Sequence, residues 1–233
     1  MAMQGTVMND RINIAIDGPA GAGKSTVARM VANRLQYIYV DTGAMYRAVT
    51  WFMQKEGISS ENSEKVLQTA RNMVIELKPY ENGQKVLLNG EDVTSYLRSQ
   101  KISSEVSLYA SIEGIRTQLV GLQREMAQRK GVVMDGRDIG TTVLPDAEVK
   151  IFMTASVKER ALRRFNELKE TEGITLEQLE IDIANRDRID QERKVSPLRC
   201  AEDAVVLDTT DMGIEEVVDT IISICKSHMD GEK

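Results

Sequence analysis

The sequence predicts an α/β fold with a five-stranded parallel sheet and helices on both faces. Its apolar runs are short, rich in Val and Ile, and lack the strict alternation of half-exposed strands, which is typical of strands buried on both faces. Amphipathic helical patterns fall between most of these runs, so strands alternate with helices as in a parallel sheet. The predicted strands are residues 12–16, 37–40, 131–134, 149–153 and 204–207, and the clearest helical patterns are residues 25–35, 115–126 and 214–225.

Composition limits the classes of function. The 233 residues suit one large domain, or one domain with an insert, and carry a net charge of −6. This charge does not suit nucleic acid or an anionic membrane, so an anionic ligand needs local basic groups. Residues 1–11 have no signal-peptide pattern and no run is long enough to span a membrane, so we expect a cytoplasmic protein whose Cys200 and Cys225 are reduced thiols. The single histidine, His228, argues against Ser–His–Asp catalysis and His-based zinc sites.

Residues 72–92 differ from the rest of the chain. They contain two Asn-Gly pairs, Asn82-Gly83 and Asn89-Gly90, each between short runs of apolar and polar residues. Asn-Gly suits tight hairpin turns that need positive φ. This segment predicts a small antiparallel meander inserted into the parallel core.

The segment IDGPAGAGKST, residues 16–26, matches the phosphate-binding P-loop pattern G-x-x-x-x-G-K-[ST] between a strand and a helix. Its glycines let backbone N–H groups surround an anion, and the following helix N-terminus adds partial positive charge. Lys24 would reach the β- and γ-phosphates of ATP, and Ser25 would ligate Mg²⁺. A Gly-rich strand-to-helix turn is the structural alternative. The predicted ATP-binding residues are Gly18, Pro19, Ala20, Gly21, Ala22, Gly23, Lys24, Ser25 and Thr26.

Polar residues follow the other strands, at the sheet edge where ligands of open α/β folds bind. Asp41 or Thr42 could cap a helix that begins near Gly43, which does not exclude binding. Asp135 could be a turn residue, but an acid after an apolar strand of a P-loop protein more often supports Mg²⁺.

Two arginine-rich helical patterns follow the fourth strand, within residues 157–193. Arg160, Arg163 and Arg164 could form a solvated face with Glu159 and Glu167. The second pattern, residues 176–193, adds further arginines after a polar turn around Gly173. The arginine count, the helix-turn-helix form and the position favour a lid that excludes water and brings arginines to the transferring phosphate.

We find no guanine-reading N-K-x-D motif of a GTPase, and motor or AAA proteins would be longer, so a small-molecule kinase is the class of P-loop protein that remains. Four segments in order resemble bacterial-type cytidylate kinase, of the nucleoside-monophosphate kinase group: IDGPAGAGKST, DTGAMYR, DGRDIGTTVLPDAEVKIF and RDRIDQERKVSPL, which start at residues 16, 41, 135 and 186. The resemblance covers residues from about 11 to 225. It implies a core of residues 11–71 and 107–233 and an inserted nucleotide-binding domain of residues 72–106.

The resemblance also implies the acceptor site. Thr42, Arg47, Arg137 and Arg193 would bind the CMP phosphate, whereas Arg186 and Asp190 would bind the ribose hydroxyls. Ser107, Arg116 and Asp138 would read cytosine, since Asp138 and Ser107 can accept from its amino group and Arg116 can donate to N3 and O2. Uracil would leave such groups unpaired, at roughly 1–3 kcal/mol each. Tyr46 completes the predicted CMP-binding set.

The implied reaction is ATP + CMP (or dCMP) ⇌ ADP + CDP (or dCDP) with Mg²⁺, in a monomer. The acceptor phosphate is already anionic near neutral pH, so no general base is needed. Lys24 and the lid arginines Arg160, Arg164 and Arg188 would stabilise the transferring group, and Asp135 would hold Mg²⁺ through water. The wider group often has Gly at the position of Ser25, which leaves a direct Ser25–Mg²⁺ bond open. A kinase for another small acceptor, such as UMP or shikimate, and a non-catalytic nucleotide-dependent regulatory module are the alternatives.

Overall fold

The computed structural model describes residues 11–80, 83–168 and 174–231. Its strands are β1 (Asn13–Asp17), β2 (Ile38–Asp41), β3 (Ile75–Tyr80), β4 (Gly83–Leu88), β5 (Glu91–Asp92), β6 (Val132–Gly136), β7 (Val149–Thr154) and β8 (Val205–Asp208). Its α-helices are α1 (Lys24–Leu35), α2 (Thr42–Lys55), α3 (Ser63–Ala70), α4 (Gln100–Ala110), α5 (Glu113–Ala127), α6 (Val157–Leu168), α7 (Leu176–Glu192) and α8 (Ile214–Met229). In this described part of the chain, no helix is long and apolar enough to cross a bilayer.

The main sheet confirms the predicted fold class. Five parallel strands follow the order β2-β6-β1-β7-β8, and every predicted strand is present. Each strand continues one or two residues past its predicted carboxyl end, because a ladder depends on backbone hydrogen bonds and can include polar side chains. The register places Asp41 of β2 beside Asp135 of β6. Acidic side chains therefore meet at the carboxyl edge of the sheet.

Helices cover both faces of this sheet. On one face, α1 and α8 pack against strand residues such as Ile14 and Ile151, and Cys225 lies in this core. On the other face, α5 contributes Val120 and Ala127 to a cluster with β6. Core packing is the default expectation for cysteine side chains of this kind. Both thiols are free, and the expectation holds for the buried Cys225 and is wrong for the exposed Cys200.

A separate antiparallel sheet, β3-β4-β5, forms within the predicted meander. Asn89 and Gly90 have φ angles of 51° and 84°, as the Asn-Gly prediction requires, while Asn82 lies outside the described residues. Gln84 of β4 joins this sheet to the edge strand β2: its side chain donates to Tyr39 O (2.8 Å) and accepts from Asp41 N (3.2 Å). The division at residue 106 stays a prediction, and helix α4 runs through that position.

The predicted lid contains helices α6 and α7, which pack against each other through a small apolar cluster. Ala161, Leu179 and Ile183 are buried in this cluster. The turn around Gly173 lies outside the described residues. Because the cluster is small, the two helices rely on further contacts with the loops that surround the site.

Candidate active site

The loop between β1 and α1 has the backbone that its glycines predict. Gly18, Gly21 and Gly23 have φ angles of 149°, 75° and 82°, which L side chains rarely adopt. A Cβ at Gly18 would lie 2.0 Å from the carbonyl oxygen of Met153, so this position also needs glycine for space. The loop is therefore held in a conformation that exposes its backbone amides.

Lys24 and Ser25 begin helix α1 at the end of this loop. The Lys24 ammonium is buried and donates to Pro19 O at 2.6 Å. Burial, with Arg137 nearby, lowers its pKa well below the ordinary value, although Asp135 and Asp17 oppose this shift. A phosphate bound next to Lys24 would stabilise its charged form, which burial disfavours.

Asp135 is the last residue but one of β6 and lies beside the loop. It accepts from Ser25 Oγ (2.8 Å) and from the Tyr39 hydroxyl (2.9 Å). Burial and the charge of Asp41 raise the pKa of Asp135 to about 6. These contacts fix a carboxylate next to a hydroxyl at the mouth of the anion-binding loop.

The Ser25 hydroxyl and the Asp135 carboxylate are hard oxygen donors of the type that Mg²⁺ prefers. In the described ranges, no group of three or more His, Cys, Asp or Glu side chains could hold a metal ion by itself. This donor set fits a Mg²⁺ that keeps waters and substrate phosphates among its ligands, as is usual in phosphoryl-transfer sites.

A cleft of about 450 Å³, counting its open mouth, lies between α2, α4, α5, α7 and the loop after β6. It brings together all ten residues that the resemblance assigns to the acceptor nucleotide. They are Thr42, Tyr46, Arg47, Ser107, Arg116, Arg137, Asp138, Arg186, Asp190 and Arg193.

Asp138 marks one part of this cleft. It is buried and pairs with Arg116, while Arg193 Nη2 donates to it at 3.2 Å. The Arg116 guanidinium also lies over the Tyr46 ring, 5.4 Å from its centroid. Here the cleft presents a carboxylate and guanidinium groups together, which can pair with a planar edge carrying both a donor and acceptors.

Asp190 marks another part. Its carboxylate accepts from Ser107 Oγ and Arg137 Nε, both at 2.9 Å. Burial opposes its charge, but Arg137 and the other cleft arginines outweigh burial and lower the pKa of Asp190. Asp190 is therefore charged at neutral pH and holds Ser107 and Arg137 in place.

The cleft has spare capacity for an anion. Five arginines and two aspartates line it, a difference of three positive charges. Burial and the neighbouring Arg137 lower the pKa of Arg186 to about 10. In the described part of the chain, buried polar atoms without a hydrogen-bond partner include four on this lining, namely Tyr46 OH, Arg47 Nε, Arg116 Nε and Arg186 Nε. Such atoms need a hydrogen-bond partner, which a polar ligand or ordered water can supply.

The predicted lid arginines differ in position. Arg160 is buried and donates to Ala20 O of the loop at 2.8 Å, and Arg164 lines a second cleft that reaches Ala20 and Gly21. Arg188 is exposed and pairs with Glu192 at 3.8 Å, and among the described residues it is not part of the lining of either cleft. Its predicted role stays a prediction.

Asp41 caps helix α2, as predicted, and also contacts an arginine of the acceptor cleft. Asp41 accepts from Ala44 N (2.8 Å) at the start of α2 and from Arg47 Nη2 (3.0 Å). Its carboxylate therefore orients an arginine of the acceptor cleft while it caps the helix.

Sequence reasoning missed three side chains at the site. Asp17 accepts from the amides of Ile139 (2.8 Å) and Gly140 (2.7 Å), directly after Asp138. Tyr39 holds Asp135, and Asp187 of α7 contacts the P-loop. The sequence offered one signal for Asp17, because it is a polar residue at the last position of a buried strand. The roles of Tyr39 and Asp187 depend on tertiary contacts that leave no local signal.

Comparison with known proteins agrees with the motifs. A family model described as cytidylate kinase matches residues 14–227. Proteins named cytidylate kinase from Bacillus cereus (strain ATCC 10987 / NRS 248) and Bacillus thuringiensis (strain Al Hakam) are 53% and 52% identical, each over 93% of this chain and 97% of the relative. A solved gluconokinase from Sinorhizobium meliloti 1021 is 13% identical, with a TM-score of 0.50 and 95% of each chain covered, which is a likeness of fold. The predicted resemblance is confirmed, and the chain belongs to the cytidylate kinase family.

Proposed function

We propose that this protein is a cytidylate kinase that transfers the γ-phosphoryl group of ATP to CMP or dCMP. The observation that carries the proposal is the single cleft lined by all ten residues assigned to the acceptor nucleotide. Family membership supports the same activity. The nucleotide-dependent regulatory module is less well supported, because it would not require an acceptor cleft beside the P-loop.

In this proposal, the acceptor phosphate binds among Arg47, Arg137 and Arg193, with the Thr42 hydroxyl as a further donor. Planar guanidinium groups pair with phosphate oxygens through two parallel hydrogen bonds. Arg186 and Asp190 hold the ribose hydroxyls. The net positive lining of the cleft offsets the dianionic phosphate, whose second pKa is near 6.

The nucleobase is recognised where Asp138 and Arg116 are paired. Cytosine offers an amino donor to the carboxylate and ring acceptors to the guanidinium, and Ser107 adds a hydroxyl. Uracil has the reverse pattern at two positions, so a carboxylate would face a carbonyl oxygen. This reversal is the physical basis for CMP over UMP in the proposal.

The chemistry depends on positioning and charge neutralisation, without a general base. The acceptor phosphate is anionic at neutral pH and attacks the γ-phosphorus directly. Lys24 donates to the phosphates of ATP, and Arg160 and Arg164 approach the transferring group from the lid. Each of these groups neutralises charge on the transferring oxygens without giving up its proton.

Mg²⁺ fits beside the P-loop. Ser25 and Asp135 would hold it, either directly or through water, with the remaining ligands from phosphates and water. When bound, the ion supplies additional positive charge to the β- and γ-phosphates. The monomeric state and the cytoplasmic location stay predictions.

A coupled assay of ADP release tests the proposal. ATP and Mg²⁺ are supplied with CMP, dCMP, UMP, AMP or GMP, and shikimate is included as a different acceptor. We expect turnover with CMP or dCMP to exceed that with the other acceptors. Turnover with shikimate, or mainly with UMP, would favour a kinase for another small acceptor. No turnover with any acceptor would favour the nucleotide-dependent regulatory module.

A further inference from the structure

Asp187, on the inner face of helix α7, bridges the lid to the P-loop backbone. Its Oδ1 accepts from Ala20 N at 3.2 Å, and its Oδ2 pairs with Arg160 Nη1 at 2.7 Å. Arg160 also donates to Ala20 O at 2.8 Å. Two oppositely charged side chains from the two lid helices thus hold the N–H and the C=O of a single P-loop residue.

This cluster is buried and tightly packed. Asp187 and Arg160 are both buried, and Arg160 Nε donates to Ala155 O at 2.9 Å. A Cβ at Gly21 would lie 3.2 Å from the Arg160 Cβ, so helix α6 lies directly against the loop. The lid has little freedom to shift relative to the P-loop while these contacts persist.

Helix α7 also carries residues of the acceptor cleft. Arg186 precedes Asp187, and Asp190 lies almost one helical turn later on the same side. Asp190 in turn holds Ser107 and Arg137. One rigid helix therefore joins the donor-binding loop, through Asp187, to the acceptor-binding residues.

We propose that Asp187 is a positioning residue for phosphoryl transfer, which sets the distance and alignment between the acceptor cleft and the P-loop. This inference rests on the proposed kinase function. An in-line transfer is sensitive to the separation of its reactants, and a misplacement of about 1 Å can lower a rate by about 100-fold. Asp187 would act through helix α7 and the loop rather than by touching the transferring group.

The position of Asp187 predicts a specific kinetic pattern. The acceptor side of α7 keeps its own contacts through Asp190, so CMP should still bind when Asp187 is changed. The distance and alignment between the bound CMP and the bound ATP should become less well fixed. We therefore expect a lower kcat, a KM for CMP within about threefold of wild type, and more ATP hydrolysed per CDP formed, because water competes with a misaligned acceptor.

The test compares Asp187→Ala and Asp187→Asn with wild type and with Glu177→Ala, a change at an exposed position of the same helix. ADP and CDP are measured separately at saturating ATP, and the melting temperature is recorded for each variant. We expect kcat to fall about 10- to 100-fold for Asp187→Ala, with a raised ratio of ADP to CDP. Asp187→Asn keeps an oxygen that can accept from Ala20 N, so its kcat should fall about three- to tenfold. Glu177→Ala should behave as wild type.

A lower melting temperature with the wild-type kcat and ADP-to-CDP ratio would overturn the proposal, because Asp187 would then only stabilise the fold. If Asp187→Ala does not fold, Asp187→Asn decides by the same criteria. If the wild type phosphorylates CMP and the Asp187 variants keep its kcat and its ratio of ADP to CDP, the inference about Asp187 is refuted and the proposed function stands. No activity of the wild type with CMP would refute the proposed function.

Discussion

Replacing Asp138 by asparagine tests nucleobase recognition. Asp138 is 4% exposed and faces two guanidinium groups, those of Arg116 and Arg193. In the proposed complex, UMP would leave two groups mismatched at about 1–3 kcal/mol each, which predicts a preference for CMP of about 30-fold to 2 × 10⁴-fold in kcat/KM. An asparagine amide can be oriented to donate to the uracil O4 carbonyl, which removes one mismatch. The preference should therefore fall by about 5- to 150-fold.

The assay measures kcat/KM for CMP and for UMP with saturating ATP, in wild type and in Asp138→Asn. The KM for ATP should stay within about twofold, because the proposed donor site is formed by the P-loop. Loss of the only carboxylate that pairs with Arg116 in the described residues should also destabilise the fold, by up to about 3–5 kcal/mol, so the melting temperature is measured as well. An unchanged ratio of CMP to UMP use in a folded variant would refute recognition by Asp138.

Three further changes test other parts of the site. Lys24→Ala removes the buried ammonium, so we expect kcat to fall about 10²- to 10³-fold. Calorimetry should show an affinity for CMP within about twofold of wild type. A near-normal kcat would contradict the role proposed for Lys24 in phosphoryl transfer. Arg188→Ala should leave kcat within about twofold, because Arg188 is exposed and its ion pair with Glu192 lies at the surface. A tenfold loss of kcat would support the catalytic role predicted for Arg188. Burial raises the pKa of Asp17 from 3.8 to about 6, so the folded state binds this proton more tightly than the unfolded chain does. The stability of wild type relative to Asp17→Asn should therefore be highest below about pH 4 and fall by about 3 kcal/mol as the pH rises to about 7. Denaturant unfolding across this range measures the difference, and a constant difference would contradict the shift.

The fold was predictable because its strongest signals are local. Strands buried on both faces produce continuous apolar runs, and the β1–α1 loop needs glycine at positions such as Gly18 for both conformation and space. The Asn89-Gly90 turn likewise follows from the φ angles that Asn and Gly tolerate. The positions predicted for the strand ends were less accurate, because polar residues such as Asp17 and Asp208 continue the hydrogen-bonded ladder.

The acceptor cleft could not be derived from local patterns. Arg116 and Asp138 are 22 residues apart, and Ser107 and Asp190 are 83 residues apart, so neither pair leaves a periodic signal. Their grouping was predicted from the family resemblance, and the structure brings the same residues to one cleft. Asp187, only three residues before Asp190, was missed because its partners, the Ala20 amide and the Arg160 side chain, lie far from it in the sequence.

Two of the carboxylates on α7, those of Asp187 and Asp190, show how the donor and acceptor sites depend on each other. Asp190 holds Arg137, and Arg137 lies close enough to Lys24 to help lower the pKa of Lys24. Asp187 in turn holds the loop that leads into Lys24 at the start of α1. A phosphate in the acceptor cleft would add negative charge near Arg137 and reduce the repulsion between Arg137 and Lys24. Acceptor binding should then favour the charged form of Lys24, the form that binds ATP phosphates. The two substrates are therefore expected to bind with positive coupling, and equal ATP affinity in the presence and absence of CMP would show that the two sites act independently.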